Sequence, residues 1–161
     1  MIIVVMGVSG CGKSTIGQQL ADRLGWPFYD GDEFHPPANI DKMSRGIPLN
    51  DEDRSGWLAA IADRMLTLMA AGESGVFACS ALKQKYRDQL HVSDQVKFVY
   101  LRGNYDVIWS RMQQRPGHYM KPNMLASQFE TLEEPHDALT LDIGQSPDHM
   151  VERIIQTLIE R

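Results

Sequence analysis

Two kinds of hydrophobic patterning alternate along this chain. The runs Ile2–Met6, 75–79 and 96–101 are apolar without interruption or nearly so, and lack the period-two alternation of a half-exposed strand. Such runs suit strands of a parallel sheet covered on both faces. Phe28-Tyr29 and the apolar-ended run 138–143 are shorter strand candidates. Between them the period changes to that of a helix. Lys13–Leu24 reads as one helix, and another starts near Tyr105. From Asn50 onward Leu58, Ile61, Met65, Leu68 and Met69 fall on one helical face, with acidic residues in the first turn and a glycine at the end. Near the C-terminus Val151, Ile154, Ile155, Leu158 and Ile159 form the apolar stripe of a closing helix. Strand and helix in alternation predict an α/β fold, a doubly wound parallel sheet of about five strands flanked by helices. Ligands of such sheets gather at the carboxyl ends of the strands, so the loops there carry the candidate chemistry.

The first of these loops is the most specific. Gly7-Val8-Ser9-Gly10-Cys11-Gly12-Lys13-Ser14 fits G-x-x-x-x-G-K-[ST], directly after a strand and directly before a helix. Glycines let backbone N–H groups curl around phosphates, the lysine neutralises β/γ oxygens, and the serine hydroxyl holds Mg²⁺. The helix N-terminus adds its positive dipole end. This is the signature of the P-loop NTPase fold. The predicted nucleotide-binding residues are Gly7, Ser9, Gly10, Cys11, Gly12, Lys13, Ser14 and Thr15, with ATP and Mg²⁺ as cofactors.

Composition narrows the class. At 161 residues, 43% hydrophobic and 23% charged, the chain suits one globular domain over 1–161 with no repeat or low-complexity segment. Its apolar start is too short for a signal-peptide core, and no run approaches the roughly 18 to 20 residues that span a bilayer. We therefore expect a cytoplasmic protein without a membrane partner. Cys11 and Cys79 belong to no ligand cluster and are expected to be free thiols. The formal charge of −5 argues against nucleic acid and for a small-molecule substrate.

Asp30-Gly31-Asp32-Glu33-Phe34-His35, after the second strand, concentrates carboxylates and a histidine in one loop. Phosphoryl transfer needs one acid to hold Mg²⁺, directly or through water, and another to orient the acceptor hydroxyl or take its proton. The acid that usually ends a neighbouring strand is absent here, because the run 76–80 ends in Cys79 and Ser80. Asp30 or Asp32 must then serve the metal, with Ser14. Lys83 and Arg87, four apart beyond that strand, suit an anionic substrate and equally a solvated helix face. Lys42, Arg45 and Arg54 read either as basic groups near the site or as surface. Segment 115–123, bracketed by Pro116, Gly117 and Pro122, reads as a mobile lid, with Arg115 first and Arg111 second as the arginine delivered to the transferred phosphoryl group. Both also read as dipole-complementing residues at a helix end. Gln145, in a loop after the last strand run, is a candidate to pass along adenine. His91, His136 and His149 have no ligand spacing, and Trp26, Trp57 and Trp109 read as packing.

Taken together, the phosphate loop, DGDEFHPPANIDKMSRGIPLNDEDRSGWL, CSALKQKYRDQL and RPGHYMKPNMLASQFETLEEP resemble the gluconate kinases, over nearly the whole chain. The resemblance implies ATP-dependent phosphorylation of D-gluconate on its 6-hydroxyl, giving 6-phospho-D-gluconate and ADP, in a homodimer. It further implies that Lys13, Asp32 and Arg115 are catalytic. Asp32, His35, Arg54, Lys83 and Arg87 would face the substrate, and Gln145 the adenine. A shikimate or nucleoside monophosphate kinase on the same scaffold is the alternative, and a nucleotide-operated switch is a more distant one.

Overall fold

The computed structural model describes residues 1–114 and 122–160, with side chains in the segment after the gap from Met124 onward. Its sheet holds five parallel strands, β1 (Ile2–Met6), β2 (Phe28–Asp30), β3 (Gly75–Ala78), β4 (Val96–Arg102) and β5 (Leu139–Asp142), in the spatial order β2-β3-β1-β4-β5. Every pairing is parallel, with β1 central between β3 and β4. Parallel neighbours need crossovers, and the helices that provide them cover both faces of the sheet. All five residues of β1 are fully buried, which is why this strand shows no polar alternation.

The helices are α1 (Lys13–Leu24), α2 (Pro37–Ser44), α3 (Asp51–Ala70), α4 (Gln84–Leu90), α5 (Tyr105–Gln113), α6 (Pro122–Thr131) and α7 (Pro147–Leu158). Helix α3 starts where its sequence signals place it. The Asn50 side chain accepts from the Asp53 N–H and the Asp53 carboxylate accepts from the Asn50 N–H, a reciprocal cap on an acidic first turn. Leu58, Ile61, Met65 and Leu68 are its buried stripe, with Met69 partly buried beside them. In α7 the predicted residues Val151, Ile154 and Ile155 are buried in the same core. Helix α2 carries no strong apolar period and has no counterpart in the sequence-based elements. Its start fits Pro36-Pro37, since proline lacks the N–H that the first helical position leaves unpaired anyway.

Strand ends bring distant segments to one edge of the sheet. The phosphate loop follows β1, Asp30 ends β2, Ser80 to Leu82 follow β3, and 143–145 follow β5. Asp30 pairs in register with Ala78 of β3, so it stands beside the strand whose terminal acid is missing.

Candidate active site

The phosphate loop is held open by backbone conformations open mainly to glycine. Gly10 (φ 80°) and Gly12 (φ 101°) lie in the left-handed region, Gly12 at the N-cap of α1. The Lys13 ammonium donates to the Val8 carbonyl at 2.9 Å, bent back over its own loop. Ser14 Oγ donates to Asp30 Oδ2 at 3.4 Å. The other oxygen of Asp30 accepts the Asp32 N–H at 3.0 Å, which turns Asp30 toward the loop. A hydroxyl and a carboxylate oxygen side by side are the hard donors Mg²⁺ takes when phosphates and water complete its shell. Ser14 and Asp30 therefore fit the ion and could hold it.

Two chambers open on this edge. One runs along the phosphate loop from Gly10 to Thr15 and includes Asp30. The other is walled by His35, Arg54, Trp57, Leu82, Met124 and Gln128. Ser9, Lys13 and Asp32 line both. Asp32 thus stands at the junction, opposite the lysine. The surrounding walls raise the Asp32 pKa, Lys13 pulls it down, and the Asp30 carboxylate pushes it up again, for a net rise that solvent, reaching 84% of the side-chain surface, screens.

His35 is built into the second chamber by three contacts. Its ring stacks on Trp57 with centroids 4.2 Å apart, and the Trp57 indole N–H donates to the Gly31 carbonyl at 2.7 Å. The Asn39 side-chain amide donates to the Asp53 carbonyl at 2.9 Å and faces His35 Nδ1 at 3.2 Å. An NH₂ on Nδ1 makes that nitrogen the acceptor, so the proton sits on Nε2, which lies 3.9 Å from Asp32 Oδ1. Burial and the nearby Arg54 charge lower the His35 pKa to about 4. The ring is a neutral donor across ordinary pH.

The remaining predicted site residues divide. Arg54, only 8% exposed, lines the second chamber. Lys83 and Arg87 line neither chamber. Lys83 is the N-cap of α4, and its ammonium pairs with Asp51 at 3.0 Å. Arg87 is buried, donating to the Ala81 carbonyl at 2.8 Å and to the Glu133 carbonyl at 2.7 Å. It clasps the loop after β3 to the segment after α6, its charge-assisted bonds satisfying two main-chain carbonyls. The shared helix face read from the spacing does not form, since Lys83 precedes the helix in extended backbone. Arg111 donates to the Ile143 carbonyl at 2.8 Å, tying α5 to the loop that carries Gln145. Gln145 Oε1 is buried there and meets no donor among the described residues. Arg115 and the rest of 115–121 lie outside the described residues. Both cysteines are buried thiols, and burial pushes Cys79 up to about 12.

Sequence reasoning missed Asn39, Asp51, Tyr86 and Gln128, and treated Trp57 as packing alone. Trp57 is buried and also seats His35. Only the i,i+4 spacing of His35 and Asn39 was a readable signal, since that spacing places two side chains together wherever the chain is helical or turning.

The family model described as "Shikimate kinase" matches residues 9–159. The chain is 44% identical over 162 residues to the thermoresistant gluconokinase of Escherichia coli K12, covering 98% of this chain and 93% of that one. The chain belongs to the gluconokinase family. The crystal structure of a gluconokinase from Sinorhizobium meliloti 1021 superposes with a TM-score of 0.88 at 45% identity, covering 98% of this chain and 91% of that one. Shikimate kinase from Aquifex aeolicus shares the fold, at a TM-score of 0.67 and 16% identity over 98% of this chain and 96% of that one. The P-loop kinase scaffold is thus common to both groups, while close sequence identity lies with the gluconokinases. No helix among the described residues is long and apolar enough to cross a membrane.

Proposed function

We infer that this chain transfers the γ-phosphoryl group of ATP to the 6-hydroxyl of D-gluconate, giving 6-phospho-D-gluconate and ADP. The observation that carries this reading is the junction of a phosphate chamber and an acceptor chamber at Ser9, Lys13 and Asp32. A hydroxyl beside Asp32 faces a phosphoryl group beside Lys13. The hydroxyl oxygen attacks phosphorus, the bond to the ADP oxygen breaks, and the hydroxyl proton passes to Asp32. A carboxylate with a raised pKa is the better acceptor for that proton. Lys13 offsets charge on the transferred group, and little covalent work is left to the protein. Ser14 and Asp30 would hold Mg²⁺, which would offset negative charge on the phosphates.

The acceptor chamber suits a polyhydroxylated acid. Arg54 supplies a cation for a carboxylate, and the His35 Nε2–H supplies a neutral donor for a hydroxyl. The same proposal assigns Gln145 to the adenine side, Arg111 to the nucleotide and Arg115 to the lid, on the strength of the sequence. One sheet carrying both chambers supports a single catalytic unit over 1–161. A cytoplasmic homodimer belongs to the same proposal, and sedimentation of the purified protein tests the dimer.

The deciding assay measures ADP release with Mg-ATP against gluconate, related aldonates, shikimate and nucleoside monophosphates, and identifies the product. Gluconate-dependent turnover yielding the 6-phosphate is expected. Turnover with shikimate or a nucleotide alone would overturn the acceptor, and hydrolysis independent of any acceptor would favour a switch.

A further inference from the structure

We propose that Tyr86 and Asp51 form a brace that presents Arg54 to the carboxylate of the acceptor, so that preference for a sugar acid over its neutral counterpart is set from outside the chamber. This rests on the gluconate reading above. Arg54 reaches the chamber from the first turns of α3, and its Nη1 donates to the Tyr86 hydroxyl at 3.1 Å. Tyr86 has one proton to give, and it gives it to Asp51 Oδ1. The lone pairs on the tyrosine oxygen are then left for Arg54, and donation to a carboxylate makes that oxygen a stronger acceptor.

Asp51 is itself pinned. Lys83 Nζ lies 3.0 Å from Oδ1, and Lys85 pairs with Oδ2. The bonds from Lys85, Tyr86 and Lys83 hold the Asp51 carboxyl well below the usual carboxylate range, so the anchor stays ionised. The Arg54 guanidinium lies 5.4 Å from the centre of the Tyr86 ring, and Lys83 lies 5.7 Å from the same point. Two lysines and Tyr86 thus meet at Asp51, and Tyr86 in turn bonds Arg54. Neither the lysines nor Tyr86 nor Asp51 lines the chamber.

The physical gain is pre-organisation. A free arginine side chain loses rotamer entropy when it is ordered. One that is already ordered in the empty chamber does not lose it again when the carboxylate arrives. With Nη1 committed to Tyr86, the remaining N–H groups of Arg54 meet no protein acceptor among the described residues. They are free for a planar, charged ligand group.

The test compares gluconate with gluconamide, which keeps every hydroxyl and removes only the charge. For Tyr86→Phe we expect KM for gluconate to rise about ten-fold while kcat stays within about two-fold and KM for ATP is unchanged, the size of one lost charge-assisted bond. KM for gluconamide should move by less than about two-fold, so that the preference for the acid shrinks. Asp51→Asn, which weakens the brace without deleting the tyrosine, should give a smaller shift in the same direction. Unchanged gluconate KM in both variants, or equal losses for acid and amide, would overturn the brace. Calorimetric binding of both compounds to the ADP-bound protein separates the two proposals. Wild-type binding of gluconate without turnover, with the acid preference reduced in Tyr86→Phe, would keep the brace and overturn the reaction. Wild-type protein that turns over gluconate but binds acid and amide equally would overturn the brace and keep the reaction.

Discussion

The Gln128 side-chain oxygen accepts the backbone N–H of Ser9 at 2.6 Å, joining helix α6 to the phosphate loop across 119 positions of sequence. Both residues line the acceptor chamber, and Ser9 also lines the phosphate chamber. The bond therefore ties one wall of the acceptor chamber to the loop that holds the reacting phosphate. In Gln128→Ala the Ser9 N–H loses this partner and α6 loses its tie. We expect kcat/KM for gluconate to fall about three- to ten-fold, the size of one neutral hydrogen bond, with the melting temperature nearly unchanged. Steady-state kinetics beside a thermal melt would show this, and full activity in the variant would remove Gln128 from the site.

Lys13 and the two loop aspartates should separate by kinetic signature. Lys13 lies outside the buried core, so Lys13→Ala should keep the fold while kcat falls by at least about a hundred-fold, the usual cost of one electrostatic donor to the transition state. Asp32→Asn should lower kcat by about a hundred- to ten-thousand-fold with ATP binding kept. Asp30→Asn should instead raise the Mg²⁺ concentration needed for half-maximal rate, because its carboxylate faces Ser14. If Asp30→Asn abolishes turnover at saturating Mg²⁺ and Asp32→Asn does not, the two roles are exchanged.

His35 makes stability depend on pH in a defined window. Its folded pKa, about 4, lies below the ordinary value of 6.5, so between these points the unfolded chain binds a proton that the folded protein refuses. Stability is therefore lost as pH falls from about 6.5 toward 4, and His35 costs nothing above that range. Between pH 7 and pH 5 the loss attributable to this residue is about 2 kcal/mol. Denaturant unfolding of wild type and His35→Gln at the two pH values should show a smaller acid loss in the variant, and equal losses would refute the assignment. The raised pKa of Asp32 predicts the complementary kinetic effect, a fall in kcat on acidification that begins above the ordinary carboxylate range.

Gly31 and Trp57 test how the aspartate loop is seated. A Cβ on Gly31 would lie 2.4 Å from the Ala78 carbonyl oxygen, a backbone atom that cannot swing aside. Gly31→Ala should therefore lower the melting temperature and also kcat, because the displaced turn carries Asp30 and Asp32. Trp57→Ala removes the bond to the Gly31 carbonyl and the ring beneath His35, and should cost about 3 to 5 kcal/mol. A melting temperature within a degree of wild type for either variant would contradict this account.

Local patterning was enough for much of the outcome. The phosphate loop, the buried stripes of α3 and α7 and the parallel α/β sheet follow from residues close together in the chain, because periodicity and loop chemistry act over a few positions. The choice between Asp30 and Asp32 did not follow, since it turns on a backbone N–H bond within the loop and on which chamber each carboxylate faces. Lys83, Arg87 and Tyr86 show the limit most plainly. Within CSALKQKYRDQL their charges and spacing are equally compatible with a substrate face or a solvated helix. Only the packing of α4 against α3 brings Lys83 and Tyr86 onto Asp51, and only the segment after α6 brings main-chain carbonyls to Arg87. A side chain's partner is set by what the fold delivers to it from elsewhere in the chain, so the sequence by itself determined the scaffold and its phosphate loop, while tertiary structure decided which charges line the two chambers and which pair away from them.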